Sequence, residues 1–309
     1  MLCLIFTTLV CPAFAGIVWD SETGWHISGR TPKGTPVEQL EQGKKQLKEK
    51  DWKSAYRTFF ILYKYYPRSP EAPKALLKAA QALAEWGYHK KALKILDRLV
   101  SEYPKSELSK KAVEMQFDIG MRFYQGAKRK IWGIEWFRSY GSGIEAFRKV
   151  LAHDPFGELA DDAMFYIGRS AFKMGQYDLS IENLEELQDK FPNSIYSGEC
   201  EYYIAHSLFE NNKGAGYSMG ILKKAEVRLR KYLDLFPKGR LQKDAKILLT
   251  DIRNMQAKFY YNTARFYESW NKFRSAEIYY EIILKHFSDL SWEQKANNRL
   301  KIIRPKINS

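Results

Sequence analysis

Histidine and cysteine are the side chains of this sequence that could bind a metal or act in acid–base catalysis. The five histidines are His26, His89, His153, His206 and His286. No two of them are three to five residues apart, the spacing of paired zinc ligands, and Cys200 is the only cysteine after residue 11. The sequence therefore predicts no metal site and no cofactor.

Two further patterns resemble catalytic motifs but do not meet their requirements. Residues 214–220 (GAGYSMG) are glycine-rich, but a phosphate-binding loop follows a strand and has a different spacing, whereas this segment follows a helical pattern. Acidic pairs such as Asp161-Asp162 and Glu185-Glu186 are typical of helix surfaces, where water or a helix N-terminus stabilises them. We therefore predict that the protein is not an enzyme.

The first 15 residues have the pattern of a signal peptide. They form a short apolar run whose last three residues, 13–15, read Ala-Phe-Ala, a small-x-small sequence that signal peptidase recognises. We expect export and a mature chain that begins at Gly16. Cys11 is a candidate for lipidation, but Val10 stands where a lipobox needs Gly, Ala or Ser, so lipidation is disfavoured.

Positive charge is the strongest feature of the composition. Lys and Arg outnumber Asp and Glu by 50 to 36, for a net charge of +14 at pH 7. Lys128, Arg129 and Lys130 form a basic cluster close to Trp132. Such a cluster can be a solvated loop, a contact for anionic lipid headgroups or an acidic partner, or a nucleic-acid site. In an exported protein we expect a membrane surface or an acidic partner rather than nucleic acid.

Prolines recur in a fixed sequence context. They stand at positions 67, 104, 155, 192 and 237, and Ser288 takes the corresponding place in the last cycle. The intervals are 37, 51, 37, 45 and 51 residues, a 37-residue period with insertions of 14, 8 and 14 residues. Twelve residues before each position stands a small residue: Ala55, Ala92, Gly143, Ser180, Ala225 and Ala276. The 34-residue tetratricopeptide repeat has the same twelve-residue interval between a small residue and its closing proline.

The small residues predict where the two helices of a repeat cross. A second set stands twelve residues ahead of the first, at Gly43, Ala80, Gly168 and Ala264. Bulky residues follow the first set by four positions: Phe59, Leu96, Phe147, Leu184, Leu229 and Tyr280. We therefore expect Leu in place of Gly168 or Ala264 to overpack a helix crossing and to destabilise the protein.

The repeat predicts an all-α fold, a tetratricopeptide-repeat superhelical solenoid of about six helix pairs. The pairs are expected at 38–67, 72–104, 109–155, 160–192, 197–237 and 245–288, with a closing helix at 291–303. No stretch alternates with the period of a strand, so no strands are expected. The predicted organisation is a signal peptide (1–15), a Gly/Pro-rich N-terminal arm (16–37), repeats one to three (38–155), and repeats four to six with the closing helix (156–309).

First helices line the concave face of such a solenoid, so the register predicts which positions form a groove. In the first two repeats they are Leu40, Lys44, Leu77 and Gln81; in later repeats they are Phe165, Arg169, Tyr202, His206, Tyr261 and Arg265. This mixture would suit an extended peptide with bulky side chains and a carboxylate, for which Lys44 is a candidate. For Leu40 and Leu77, burial against neighbouring repeats is an equal alternative, and the basic residues can instead be solvated charges.

The order of parts resembles a particular family of exported repeat proteins. Three segments carry the resemblance: residues 42–70 (QGKKQLKEKDWKSAYRTFFILYKYYPRSP), 209–239 (FENNKGAGYSMGILKKAEVRLRKYLDLFPKG) and 258–289 (KFYYNTARFYESWNKFRSAEIYYEIILKHFSD). Together they resemble the outer-membrane β-barrel assembly lipoprotein family, the BamD-like proteins. The glycine-rich loop inside a repeat, followed by a long helix, is the more specific part of the match.

The resemblance implies a periplasmic scaffold, peripheral to the outer membrane, that binds nascent barrel proteins and docks on the barrel-forming partner. We expect the first repeats to hold clients and the last two repeats to dock on the partner through Arg265, Phe266, Tyr267 and Tyr279. Tyr279 stands where the family would have an Arg, so this contact should be mostly aromatic. The alternative function is a cell-envelope adaptor that coordinates peptidoglycan or division enzymes. A lytic enzyme would need a catalytic module, and no residues remain to build one.

Overall fold

The computed structural model describes residues 17–20, 24–27, 32, 34–126, 128–131, 134–213 and 218–307. The predicted signal peptide with Cys11, the side chain and backbone of Trp132, and the glycine-rich residues 214–217 lie outside the described residues.

Within this part of the chain, thirteen α-helices follow one another as six consecutive pairs and a closing helix. They are α1 (Pro36–Lys48), α2 (Trp52–Tyr65), α3 (Ala72–Glu85), α4 (His89–Glu102), α5 (Leu108–Tyr124), α6 (Tyr140–His153), α7 (Ala160–Lys173), α8 (Tyr177–Lys190), α9 (Ser197–Asn212), α10 (Met219–Leu235), α11 (Gln242–Ser269), α12 (Phe273–His286) and α13 (Trp292–Ile303). A single turn of 3-10 helix, Arg304–Lys306, follows α13. The predicted all-α repeat fold is confirmed.

Two short β-hairpins lie outside the helices, and the expectation of no strands is wrong at these places. Strands β1 (Ile17–Asp20) and β2 (Gly24–Ile27) pair in antiparallel fashion in the N-terminal arm. Strands β3 (Lys128–Ile131) and β4 (Ile134–Arg138) pair within the insertion between α5 and α6. Each of these strands has only four or five residues, which is too short for a period-two pattern to be recognised.

Residues in the left-handed backbone region terminate the first helix of four pairs. Lys50, Gly87, Gly175 and Asn271 have φ angles of 60°, 84°, 73° and 54°. Each stands five residues before the small residue of the following helix, so the same turn recurs in the same register. Gly and Asn adopt this conformation at low cost, which explains the turn signals in the sequence.

The chain divides into two compact units. The first consists of residues 1–142 and 152–154, and it contains α1 to α5. The second consists of residues 143–151 and 155–309, and it contains α7 to α13. In the first unit each helix from α1 to α5 packs on the next, and in the second unit the same holds from α7 to α13.

The helix crossings use the small residues that the repeat predicted. All six bulky residues of the second helices, from Phe59 to Tyr280, are fully buried. A Cβ atom on Gly43 would overlap the Phe59 ring, and a Cβ atom on Gly168 would lie 2.6 Å from Cγ of Leu184. At Gly43 and Gly168 the nearest side chain is thus the bulky one located sixteen positions later in the sequence. This contact is what requires glycine in α1 and α7.

Candidate protein-binding surfaces

The predicted client groove lies on α1 and α3 of the first unit, and its four residues differ in exposure. Leu40 is buried, so for this residue the alternative of core packing is correct and the surface prediction is wrong. Leu77 and Gln81 are half-buried, and the Gln81 side-chain oxygen accepts a hydrogen bond from Lys78 at 3.0 Å. Lys44 is accessible and forms an ion pair with Glu41, with 2.6 Å between Nζ and Oε1. Only Lys44 of the four presents a charge to solvent.

The corresponding positions of α7 and α9 form an aromatic cluster rather than an open groove. Phe165 is buried and stacks on Tyr196, with the ring centroids 4.0 Å apart. The guanidinium of Arg169 lies over the Tyr203 ring, 4.7 Å from its centroid. Tyr202 is buried as well. These aromatic side chains therefore join α7 to α9, and the prediction that Phe165 and Tyr202 face a ligand is wrong because they pack in the core.

His206 lies at the edge of this aromatic cluster. Its ring is 4.7 Å from the Phe172 centroid and 5.6 Å from the Tyr202 centroid. Burial lowers the pKa of His206, while the nearby Glu210 carboxylate, 3.6 Å from Nε2, partly opposes this effect. The imidazole is therefore neutral at physiological pH, which suits an aromatic environment.

The predicted partner-docking residues lie near the C-terminal end of α11 and on α12. Arg265 and Phe266 are exposed, and Arg265 forms an ion pair with Glu268 at 3.5 Å. Tyr267 and Tyr279 are half-buried, because their rings stack on each other with centroids 5.4 Å apart and an interplanar angle of 7°. Arg265 and Phe266 are thus the more exposed of the four predicted residues, while the stacked Tyr267 and Tyr279 also join α11 to α12.

A row of residues along α11 extends this surface. Met255, Phe259, Asn262, Phe266 and Trp270 are spaced four, three, four and four residues apart, so they share one face of the helix. We name this row the α11 stripe. The relative exposures of Phe259, Phe266 and Trp270 are 38%, 58% and 66%. Large aromatic side chains are seldom left this exposed in a continuous row unless they contact a partner.

The middle of the α11 stripe is a shallow depression. Its volume is about 300 Å³, and its lining is mostly apolar. The residues that line it are Met255, Lys258, Phe259, Asn262, Thr263 and Phe266. Phe266 packs on Trp270 with 5.9 Å between ring centroids, which closes the row at its C-terminal end. The prediction from the sequence missed Phe259 and Trp270, although the helical spacing of FYYNTARFYESW contains the signal.

The length of α11 explains why this face is uncovered. Its first half buries Ala245, Leu248 and Ile252 in a core shared with α9 and α10. Its second half buries Ala257 and Ala264 in a different core, shared with α12 and α13. The buried face therefore changes along the helix, and the opposite face of the second half remains in solvent.

Hydrogen bonds to Glu268 hold the C-terminal end of α11 in place. The Tyr280 hydroxyl of α12 donates to Glu268 Oε2 at 2.9 Å, and the Arg299 guanidinium of α13 also donates to this carboxylate. Burial alone would raise the pKa of Glu268, but the hydrogen bonds from Arg299 and Tyr280 outweigh it, so the pKa is held below its usual range. The carboxylate is ionised and joins three helices behind the stripe.

A second buried carboxylate, Glu201, joins the helices that precede α11. It is 1% exposed and accepts hydrogen bonds from Gln188 of α8 at 3.0 Å and from Arg228 of α10 at 2.9 Å. Lys231 of α10 donates to it as well. Burial acts to raise the pKa of Glu201, but these donors reverse the effect and hold the pKa below its usual range. These hydrogen bonds join α9 to α8 and α10, so we assign Glu201 a structural role.

The basic cluster lies in the second hairpin. Lys128, Arg129 and Lys130 are consecutive residues of β3, and Trp132 lies outside the described residues. The cluster is part of the first unit, as are the predicted client-groove residues.

The described residues contain no group of His, Cys, Asp and Glu side chains that could hold a metal ion. Burial raises the pKa of the Cys200 thiol to about 12, so this thiol is protonated and unreactive at neutral pH. A search of the helices in the same part of the chain finds none that is long and apolar enough to cross a membrane.

Helix hairpins that repeat at this period, with small residues at the crossings, define a tetratricopeptide-repeat protein. The YfiO family, described as outer membrane lipoproteins, matches residues 32–150 and 120–306, and the chain belongs to this family. The resemblance to BamD-like proteins is therefore confirmed, and membership of the family indicates a location in the cell envelope. A comparison with curated proteins found no match.

Several solved structures are similar to parts of this chain at low sequence identity. The C-terminal part of a TPR protein from Cytophaga hutchinsonii is 14% identical, with 85% of this chain and 87% of that chain covered and a TM-score of 0.42. MamA from Desulfovibrio magneticus RS-1 is 14% identical over 66% of this chain and 97% of that chain, with a TM-score of 0.36. A TPR protein from Thermus thermophilus is 17% identical over 71% of this chain and 98% of that chain, with a TM-score of 0.31.

Proposed function

We propose that this protein is a periplasmic scaffold of outer-membrane β-barrel assembly that docks on the barrel-forming protein and holds nascent barrel polypeptides. The observation that carries the proposal is the α11 stripe, an exposed aromatic row in the segment that resembles the last repeats of the family. The mechanism is non-covalent binding, without a catalytic step.

The stripe supports docking of a folded partner. Aromatic side chains dominate the binding energy of protein interfaces when they fill apolar pockets, and Phe259, Phe266 and Trp270 are the large exposed side chains of this face. Their burial requires no charge pairing, so this contact should persist at high salt. The exposed Arg265 beside them can supply a polar contact at the rim.

The first unit supports the binding of clients. Lys44 is the accessible cation of the predicted groove, and Leu77 and Gln81 lie half-buried on the neighbouring helix α3. A chain-terminal carboxylate would have to displace Glu41 from Lys44, an exchange between two exposed carboxylates that costs little. Client binding should therefore weaken as the ionic strength rises.

Copurification from membranes of the native host tests the docking proposal. A variant with Phe259→Ser, Phe266→Ser and Trp270→Ser should lose the barrel-forming partner by at least about tenfold, because each anchor is worth about 2 kcal/mol or more. Recovery of the same amount of partner with this variant would contradict the proposal. Recovery of peptidoglycan or division enzymes in place of barrel proteins would support the adaptor function instead.

A matched control separates docking from a general loss of exposed apolar surface. Phe156, Ile195 and Val227 are 75%, 85% and 65% exposed and lie in the same unit but outside the stripe. Their substitution by Ser should leave partner recovery unchanged. Loss of the partner with the control variant as well would show that the stripe has no specific role.

A further inference from the structure

The depression on the α11 stripe has the geometry of a helix-packing site. When two helices pack closely, a side chain of one enters a hole between four residues of the other, at positions i, i+3, i+4 and i+7. The six residues that line the depression form two such sets, which share two members. Hole 1 is Met255, Lys258, Phe259 and Asn262, and hole 2 is Phe259, Asn262, Thr263 and Phe266.

The two holes have the spacing and polarity that suit apolar side chains of a second helix. Hole 2 begins four residues after hole 1, so their centres are about 6 Å apart along α11. Side chains at positions i and i+4 of another helix have the same separation. The Thr263 hydroxyl donates to the Phe259 carbonyl at 2.9 Å, within α11 itself. Its proton is therefore already used, and hole 2 needs no polar side chain from a partner.

A helix fits this surface better than an extended strand does. The backbone groups of α11 are bonded within the helix, so the stripe offers no row of donors and acceptors to the backbone of a strand. Residues 143–151, 155–213 and 218–307 of the second unit contain no strand, so this described part has no sheet edge that a strand could extend. A helix satisfies its own backbone groups and needs only side-chain contacts.

The two borders of the stripe differ in charge. Lys258 and Arg265 each precede an aromatic residue of the stripe by one position and are seven residues apart, so both lie on one border, two helical turns apart. Lys258 is exposed, and the Arg265 side chain is 47% exposed. The other border contains Tyr260 and Tyr267, which stack on Tyr279 of α12. Beside the two holes, a docked helix therefore meets positive charge along one side only.

We propose that the element which docks on the α11 stripe is an amphipathic α-helix of the partner. Two apolar side chains one turn apart enter hole 1 and hole 2, and carboxylates along one side of the helix face Lys258 and Arg265. Such a helix lies nearly parallel or antiparallel to α11, as in other contacts in which side chains enter four-residue holes. The inference rests on the proposed docking function and adds the class of element that the stripe binds.

Binding of a synthetic peptide to the full chain, followed by fluorescence anisotropy, tests the inference. The probe is a helix of about 20 residues with leucine at heptad positions a and d, glutamate along one border and alanine elsewhere. A scrambled peptide of the same composition should bind at least about tenfold more weakly, because its leucines do not share one face. A version with lysine in place of each glutamate should bind about fivefold more weakly, because two exposed ion pairs are lost.

Filling the holes separates helix packing from general adhesion to exposed aromatic residues. Asn262 is exposed and belongs to both holes, so Asn262→Trp adds apolar surface to the stripe while it occupies the space that the leucines need. This variant should bind the peptide at least about tenfold more weakly. The matched control, Asn297→Trp, makes the same change at an exposed position of α13 and should alter binding by less than about twofold.

A charge exchange tests the orientation of the bound helix. Lys258→Glu with Arg265→Glu should weaken binding of the glutamate peptide and strengthen binding of the lysine peptide, each by about fivefold or more. Equal binding of the scrambled peptide, or unchanged binding to the Asn262→Trp variant, would overturn the inference. Self-association of the chain that Asn262→Trp abolishes, without peptide binding, would assign the stripe to a second copy instead.

Copurification of the barrel-forming protein distinguishes this inference from the proposed function. Loss of that partner from the variant with serine at positions 259, 266 and 270, but not from Asn262→Trp, would retain the docking function and exclude the helix. Loss from both variants, with full recovery by Asn297→Trp, would support both proposals. Peptide binding that depends on the holes, with undiminished recovery of the partner by both stripe variants, would contradict the docking function alone.

Discussion

At Gly168 of α7, an added methyl group would overlap a buried side chain of the neighbouring helix α8. A Cβ atom there would be 2.6 Å from Cγ and 2.7 Å from Cδ2 of Leu184, a side chain that is fully buried. Overpacking of this kind costs about 1–3 kcal/mol. Alanine also gains about 0.5–1 kcal/mol over glycine inside a helix. We therefore expect Gly168→Ala to lower the free energy of unfolding by about 0.5–2 kcal/mol.

Thermal unfolding followed by circular dichroism measures this effect, with Gly220→Ala as the matched control. A Cβ atom on Gly220 of α10 would meet only Ser218 Oγ, at 3.8 Å, so this variant should be as stable as the wild type or more stable. For a unit of this size, the Gly168 variant should melt about 2–4 °C lower for each kcal/mol lost. Leu184→Ala should cost about 1 kcal/mol less in the Gly168→Ala background than in the wild type, because the two side chains compete for one space. An equal rise of the melting temperature for both glycine variants would refute this account of the crossing.

Further predictions concern packing and buried charge. Ala264→Leu should destabilise the second unit by about 1–3 kcal/mol, and an unchanged melting temperature would contradict the repeat register. Glu201→Gln should cost about 1–3 kcal/mol in denaturant unfolding, because buried donors lose a charged acceptor, whereas Glu186→Gln on the surface should change stability by less than about 0.5 kcal/mol. Burial lowers the pKa of His89 and His206 below the usual value, so the unfolded chain binds these protons first as the pH falls. Stability should therefore decrease as the pH falls below about 6.5, and Gln at both positions should flatten the dependence; an unchanged slope would exclude the two histidines as its cause.

Much of the fold could be predicted because the same sequence signals recur in each helix pair. Small residues at a constant interval, bulky residues four positions later and left-handed turns five positions earlier mark the same points of each helix pair. The predicted bounds of the six helix pairs agree with the observed ones to within three residues, since prolines and turn residues limit the helices from outside. Catalytic residues do not recur in this way, and none were predicted.

The surfaces were harder to predict than the helices. Spacing places Leu40, Phe165 and Tyr202 on first helices, but the same face of such a helix can line a groove or pack on the next repeat. Neighbouring helices decide between these environments, and the structure buries all three residues. Tyr267 and Tyr279 are half-buried and stack on each other, and their contact with a partner stays a prediction.

By itself the sequence determined the repeat class, the six helix pairs and the crossings, because these depend on local spacing and on the size of single residues. Only the tertiary structure decided which face of α11 stays in solvent, since that depends on where α10 ends and where α12 begins to cover the helix. It also decided that Gly168 receives Leu184 and that Glu201 is buried among its donors. Exposure is a property of the assembled helices: a side chain is buried or free according to residues that are distant in the sequence.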